Sequence, residues 1–261
     1  MKAMNLIALS GVITALLACM PAEKTSQPVL LEHASFVKMA GRDCAAMDSE
    51  VNFCAKINLN WPVVKSGSKI LQRNVAEWCN TLLVGLLAFE LSEREAARTS
   101  LEEASGTFLS AHASWSGEAP DSPLGEWVAE SEDTVLFNDG RYLTLQINGY
   151  VFTGGAHGNH PSAIATFDAV TGKKLDWKDL VTDEERVKSI LEEQFRSKRS
   201  EIFEEGFEFN EYFPFALPQG FGLTADGLYC YYSPYEVTPY AFGTTAFVVP
   251  YETLGDLLKR K

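Results

Sequence analysis

His157 and His160 are the side chains whose type and spacing could do chemistry in this chain. They stand three apart in Tyr150-Val-Phe-Thr-Gly-Gly-Ala-His-Gly-Asn-His160, a strand-like run that breaks into glycine. Two imidazoles so placed can touch a ligand, relay a proton or begin a metal site. A metal would need a third ligand and a supporting shell, and only Asp168 lies close in sequence. The plainer reading is that the glycines bend the backbone and His157 bonds to it, with ligand contact as a second role. Serine chemistry lacks a frame, since Ser162 follows Pro161 and sits on no G-x-S-x-G elbow. Asp and Glu are so abundant that no carboxylate pair stands out for glycoside cleavage. P-loop, dinucleotide and H-E-x-x-H patterns are missing. His33 and His112 fall near the N-terminal tether and in a helical or connector region. Catalytic residues therefore stay unassigned, and neither a metal nor a cofactor is expected.

A second group of side chains suits contact better than catalysis. Tyr229, Tyr231, Tyr232, Tyr235 and Tyr240 cluster around Pro234 and Pro239. Tyrosine offers a large apolar face with a polar tip and is favoured at interfaces. The candidate ligand contacts are His157, Asn159, His160, Tyr235, Glu236 and Tyr240. Alternation sets Tyr229 and Tyr231 opposite Cys230 and Tyr232. Phe207 to Phe221 is aromatic, acidic and without periodicity, which fits an ordered loop laid against the sheet.

Elements must hold these groups. Val51 to Val64 alternates as a strand, and Asn74 to Phe89 carries helical spacing. Ser92 with Glu95 forms a capping-box pattern for a helix running to Leu109 or beyond. Gly117 to Gly125, with two prolines, is the best internal boundary. Trp127 to Phe137 and Tyr142 to Phe152 flank Asn138-Asp139-Gly140, a hairpin signal. There Tyr142, Thr144, Gln146 and Asn148 alternate with Leu143, Leu145 and Ile147, which implies one buried and one wetter face. Ser162 to Asp168 is another strand. Thr182 with Glu185 repeats the capping pattern before a helix holding Val187, Leu191 and Phe195. Leu228 to Tyr232 and Thr245 to Pro250 read as a late strand pair, and Tyr251 to Leu258 as a terminal helix. The class is α+β: a mixed, mainly antiparallel sheet packed with helices, in two intimately packed subdomains.

The N-terminus speaks to destination. Leu6 to Ala18 is apolar but too short to span a bilayer as a mature helix, and reads as an export signal. It ends Leu16-Leu17-Ala18-Cys19, which looks like the lipobox of bacterial lipoproteins. In that resemblance residues 1–18 are removed and Cys19 is acylated, anchoring the chain by buried methylenes at about 0.8 kcal/mol each. Residues 19–31 would be the tether. Met20 after the cysteine favours the periplasmic face of the outer membrane in a two-membrane host. Lys and Arg total 22 against 35 Asp and Glu, a net charge of −13. That surface excludes nucleic acid and anionic lipid headgroups as natural partners and would steer a cationic one. Four cysteines remain. Cys44 and Cys54 flank an acidic, turn-prone segment and are expected to pair, leaving Cys79 with Cys230. Two free, buried thiols are the alternative for the second couple.

Several ordered motifs carry a family resemblance. They are Tyr150 through Asn159, Phe167-Asp168 with Thr171-Gly172-Lys173, Trp177-Lys178-Asp179-Leu180, Leu228 through Gly243, and Val249 through Leu254. This half resembles the DUF3298 family, met in the extracellular part of the lysozyme-sensing anti-sigma factor RsiV. The strand and helix from Val51 to Phe89 resemble the companion DUF4163 domain of PdaC-like proteins. The resemblance implies an N-terminal subdomain over 32–116 and a C-terminal one over 126–261. It implies recognition of a protein, with a basic lysozyme as the specific case, or of a cell-wall-derived ligand. The reading is thus a non-enzymatic binding module on an envelope lipoprotein. The alternatives are an envelope hydrolase acting on peptidoglycan or glycan, and a structural or assembly lipoprotein.

Overall fold

The computed structural model describes residues 27–42, 44, 53–118 and 125–259. The expected export signal, Cys19 and most of the tether lie outside these residues. So do the Met47-to-Glu50 segment and the centre of the expected connector.

Five strands form the larger sheet, in the order β1 (Leu31–Gly41), β2 (Cys54–Val64), β3 (Trp127–Asn138), β4 (Tyr142–Phe152) and β5 (Ser162–Asp168). All neighbours are antiparallel except β2 and β3, which run parallel from Ala55↔Trp127 to Leu59↔Ser131. A parallel pair needs a crossover. Here it consists of α1 (Lys69–Leu87), α2 (Glu93–Ala96) and α3 (Leu101–Glu118). The sheet thus runs across the boundary expected at Gly117 to Gly125. Ser68 caps α1 by accepting from Leu71 N at 3.1 Å. Leu71, Val75 and Cys79, four apart, lie on Leu143, Leu145, Ile147 and Phe167 of β4 and β5. Leu83, Val84 and Leu87 continue onto Ile57 and Leu59. Each such leucine contributes about 1.5–3 kcal/mol by leaving water.

The helix expected from Ser92 onward is two helices. The Ser92–Glu95 capping box is present, but α2 closes after one turn. Ser100 then starts α3 by accepting from Glu103 N at 3.1 Å, while Asn80 of α1 donates to the Thr99 carbonyl at 3.0 Å. β1, with its weak alternation, has no counterpart among the elements expected from sequence. The last residues of the expected tether belong to the fold: Val29 is buried, and its N–H and C=O both bond to the Asn138 amide at 2.8 Å.

A second sheet holds β6 (Gly220–Leu223), β7 (Gly227–Tyr232) and β8 (Thr245–Pro250), all antiparallel. It covers the face of β4 expected to be wet: Tyr142, Thr144 and Gln146 are buried along with the leucines between them. Close approach is what permits this. A Cβ on Gly222 would stand 2.4 Å from Thr144 Cγ2, so only glycine fits there. The Thr144 and Thr166 hydroxyls bond at 2.9 Å, and Thr166 Oγ1 also accepts from Leu223 N at 3.1 Å.

Beyond this sheet lie α4 (Trp177–Leu180), α5 (Glu184–Lys198) and α6 (Ser200–Glu204), with the one-turn α7 (Tyr251–Leu254) replacing a longer terminal helix. The cap of α5 is Asp183, which accepts from Arg186 N. Thr182 is drawn off instead to the Leu257 carbonyl. Phe195 of α5 collects Phe203, Phe209, Phe215 and Tyr232 around itself, so the aromatic segment after Gly206 is indeed an ordered loop over this core.

Cys44 and Cys54 are bonded, with Cα atoms 4.9 Å apart. The second expected disulfide is not formed. Cys79 and Cys230 are free and buried, in separate clusters on opposite sides of the five-stranded sheet. Burial, aided by the Asp133 charge, pushes the Cys79 thiol up to about 12; burial also raises Cys230.

Candidate functional site

The glycine loop and the late tyrosines meet. β4 and the segment after the loop are pinned by paired bonds between Val151 and Asn159, at 2.9 and 2.8 Å. Gly154 and Gly155 turn with φ of +90° and +105°, which side-chain-bearing residues rarely adopt. The turn presents His157, whose ring stacks on Tyr240 with centroids 4.7 Å apart and planes 21° from parallel. His157 Nδ1 lies 3.1 Å from the Gly158 carbonyl and 3.3 Å from the Tyr240 hydroxyl. Tyr235 adds a third ring, 5.5 Å from Tyr240. Just beyond, His160 packs on Tyr150 at 4.7 Å. A Cβ on Gly158 would fall within 2.2 Å of the Tyr150 ring, so that glycine makes room for it.

The segment that carries the two tyrosines is tied to the fold at both ends. Glu236 accepts from Gln219 N at 2.6 Å with one carboxylate oxygen and from Ser233 N at 2.9 Å with the other. Burial raises its pKa, while these two backbone donors pull the other way. Val237 next to it is fully buried and Thr238 nearly so. At the far end, Arg199 donates to the Phe242 carbonyl at 3.0 Å and to Thr245 Oγ1. Between these anchors Tyr235 takes φ +69°, the one non-glycine residue with positive φ among the described residues, and the residue is 66% exposed. The strained backbone at this exposed aromatic residue costs on the order of 1–3 kcal/mol, which the anchors on either side must offset.

Two family models match the chain. One, described as a protein of unknown function, DUF3298, covers residues 178–252. The other, described as deacetylase PdaC, covers residues 49–160. The chain thus resembles DUF3298 proteins in its C-terminal part and PdaC in its N-terminal part. A DUF3298 protein of Bacteroides fragilis superposes with a TM-score of 0.69 at 20% identity, over 91% of this chain and 96% of that one. A DUF3298 protein of Pseudomonas aeruginosa gives 0.62 at 18%, over 90% and 96%. At such identity these structures establish the fold. No curated protein matches.

Within this fold, which the DUF3298 structures share, the six candidate contacts divide. His157, Tyr235 and Tyr240 form one exposed ring group, whereas Glu236 is a half-buried anchor beneath it, Asn159 a backbone clasp, and His160 packs separately on Tyr150. Asp168 is not near the histidines: it sits at the opposite end of β5 and accepts from Val170 N and Thr171 N. His112 is buried and bonds the Gly125 carbonyl at 2.9 Å, and His33 contacts Asp133 at 3.1 Å. Among the described residues no three His, Cys, Asp or Glu side chains gather as a metal would require. Tyr229 and Tyr231 do face away from Cys230 and Tyr232; they reach Gln146 and Ser162 across the sheets, and burial raises both phenols. Sequence reasoning missed the positive φ at Tyr235. The proline before it and the acidic anchor after it were the only available signals.

Proposed function

We propose that the chain is an exported binding module, lipid-anchored through Cys19, that recognises a basic protein partner through the Tyr235, Tyr240 and His157 rings. The observation that carries this is the strained, exposed Tyr235 on a loop clamped by Glu236, Val237 and Arg199. A ring ordered before binding loses little freedom on contact, which favours affinity. The net charge of −13 favours a cationic partner and faster encounter with it. The Cys44–Cys54 disulfide fits an oxidising compartment outside the cytoplasm. Among the described residues, no helix is long and apolar enough to cross a membrane.

The test is a titration of the chain with a basic lysozyme, the specific case that the family resemblance offers, at physiological salt. Binding that His157→Ala abolishes without loss of thermal stability supports ring contact. Absence of binding at tens of micromolar removes the lysozyme reading. Broad destabilisation of His157→Ala assigns that residue to holding the loop instead.

A further inference from the structure

β5 is an edge strand that is only half covered. It ends the order of the larger sheet. Gly149 N donates to the Pro161 carbonyl, and the register continues through Ile147↔Ala163 and Leu145↔Ala165. By antiparallel alternation the backbone groups of Ser162, Ile164, Thr166 and Asp168 then point outward, away from β4. At the C-terminal half these groups are taken: Leu175 N donates to Thr166 O at 2.8 Å, and Asp168 N to Lys173 O at 2.9 Å. The chain then turns away into α4. Beside Ser162 and Ile164 no strand of the described residues continues the pairing.

What lies beside that half is a slot of strand shape. Two grooves of about 440 and 460 Å³ share Thr81, Leu82, Ser162 and Ala163, and so run together along the edge. One wall is α1 and its exit, with Trp78, Leu86 and Phe89; the other is Gln219, Gly220 and Ser233. Phe89 is 72% exposed at the rim. Asn159 to Ile164 is six residues, roughly 20 Å when extended. Gly85 of α1 also faces the slot, and a Cβ there would meet nothing within 4 Å. Glycine weakens a helix, so its presence at an unobstructed position keeps the wall open at a cost in helix stability. Glu93 lines both grooves, while Glu77, paired with Arg73 at 3.6 Å, and Lys174 line the second.

We propose that this edge is a strand-addition site. Its occupant is an extended, basic and apolar peptide segment of a partner protein, pairing antiparallel with β5 where Lys173–Leu175 leaves off. Main-chain bonds to Ser162 and Ile164 supply register and sequence-tolerant affinity. Apolar side chains fill the Leu86–Phe89 wall, and a Lys or Arg meets Glu93, which lines both grooves. This site is separate from the Tyr235 ring group, and either assignment stands without the other.

The experiment starts from random octapeptides displayed on phage and panned against the full chain. The best binder is synthesised with a fluorophore and titrated by polarisation. Enriched peptides should alternate apolar residues with Lys or Arg. Their affinity should fall roughly tenfold or more for Gly85→Trp, which fills the slot, and stay unchanged for Tyr235→Gly. Amide exchange at Ser162 and Ile164 should slow on binding. Phe89→Ser, at an exposed position, is the second variant and should weaken the same peptide should Gly85→Trp not fold. Failure to enrich any peptide, wild-type affinity in both slot variants, or unprotected Ser162 and Ile164 amides would overturn the proposal.

Discussion

Tyr235 concentrates the argument at the scale of single residues. Its positive φ costs of order 1–3 kcal/mol, and its ring makes contact with Tyr240 but otherwise faces water. Glycine at that position removes the strain and the ring together. Tyr235→Gly is therefore expected to hold or raise thermal stability, by roughly 0–1 kcal/mol once glycine's greater unfolded freedom is counted. A thermal melt checks this; a clear loss of stability would mean that the ring is part of the packing. The neighbouring Glu236 illustrates the limit of reading by residue type. Its charge and its place beside two tyrosines mark it as a ligand contact, yet both carboxylate oxygens are occupied by backbone donors from within the fold. Gln219, seventeen residues away, is invisible to local pattern.

Elements join through few polar points. Thr166 on β5 receives the Leu223 N–H and pairs with Thr144, tying the two sheets where Gly222 lets them touch. Thr166→Val keeps shape but leaves a buried N–H unpaired, so it should lower stability by about 1–3 kcal/mol in a denaturant titration. A neutral result would show that the sheets are held by apolar packing alone. The strands and the hairpin at Asn138-Asp139-Gly140 were legible because alternation and turn chemistry are local properties. β1 was not, because an edge strand with one open face carries polar residues on both parities. The stacking of one sheet on the other was also hidden: Thr144 and Gln146 read as surface residues, and only the glycines of β6, far along the chain, bury them. The break between α2 and α3 follows from Ser100 and Asn80, a competition of caps that the long helical pattern masks.

At the scale of the molecule, the described residues hold one disulfide near the first two strands and two thiols sealed in separate cores. A raised thiol pKa means that the folded state favours the neutral form. The favourable contribution of Cys79 is complete below the ordinary thiol range near 9 and is lost as the pH rises towards about 12. Cys79 and Cys230 should therefore ignore a thiol reagent at pH 8 and both react once the protein is unfolded. Two thiols titrating only after denaturation is the expected count for these positions; none would restore the Cys79–Cys230 bridge expected from cysteine parity. Parity alone misled because burial of a thiol and its pairing look the same in sequence. The disulfide, the net charge of −13 and the clamped ring loop are the three features on which the proposed binding module rests.

The most direct measurement is calorimetric titration of a basic lysozyme into the wild-type chain and into Tyr235→Gly, at physiological salt. The wild type should bind and the variant, still folded, should bind at least roughly tenfold more weakly, a loss of about 1.4 kcal/mol. Equal binding by both would contradict the assignment of the Tyr235, Tyr240 and His157 rings as the contact surface.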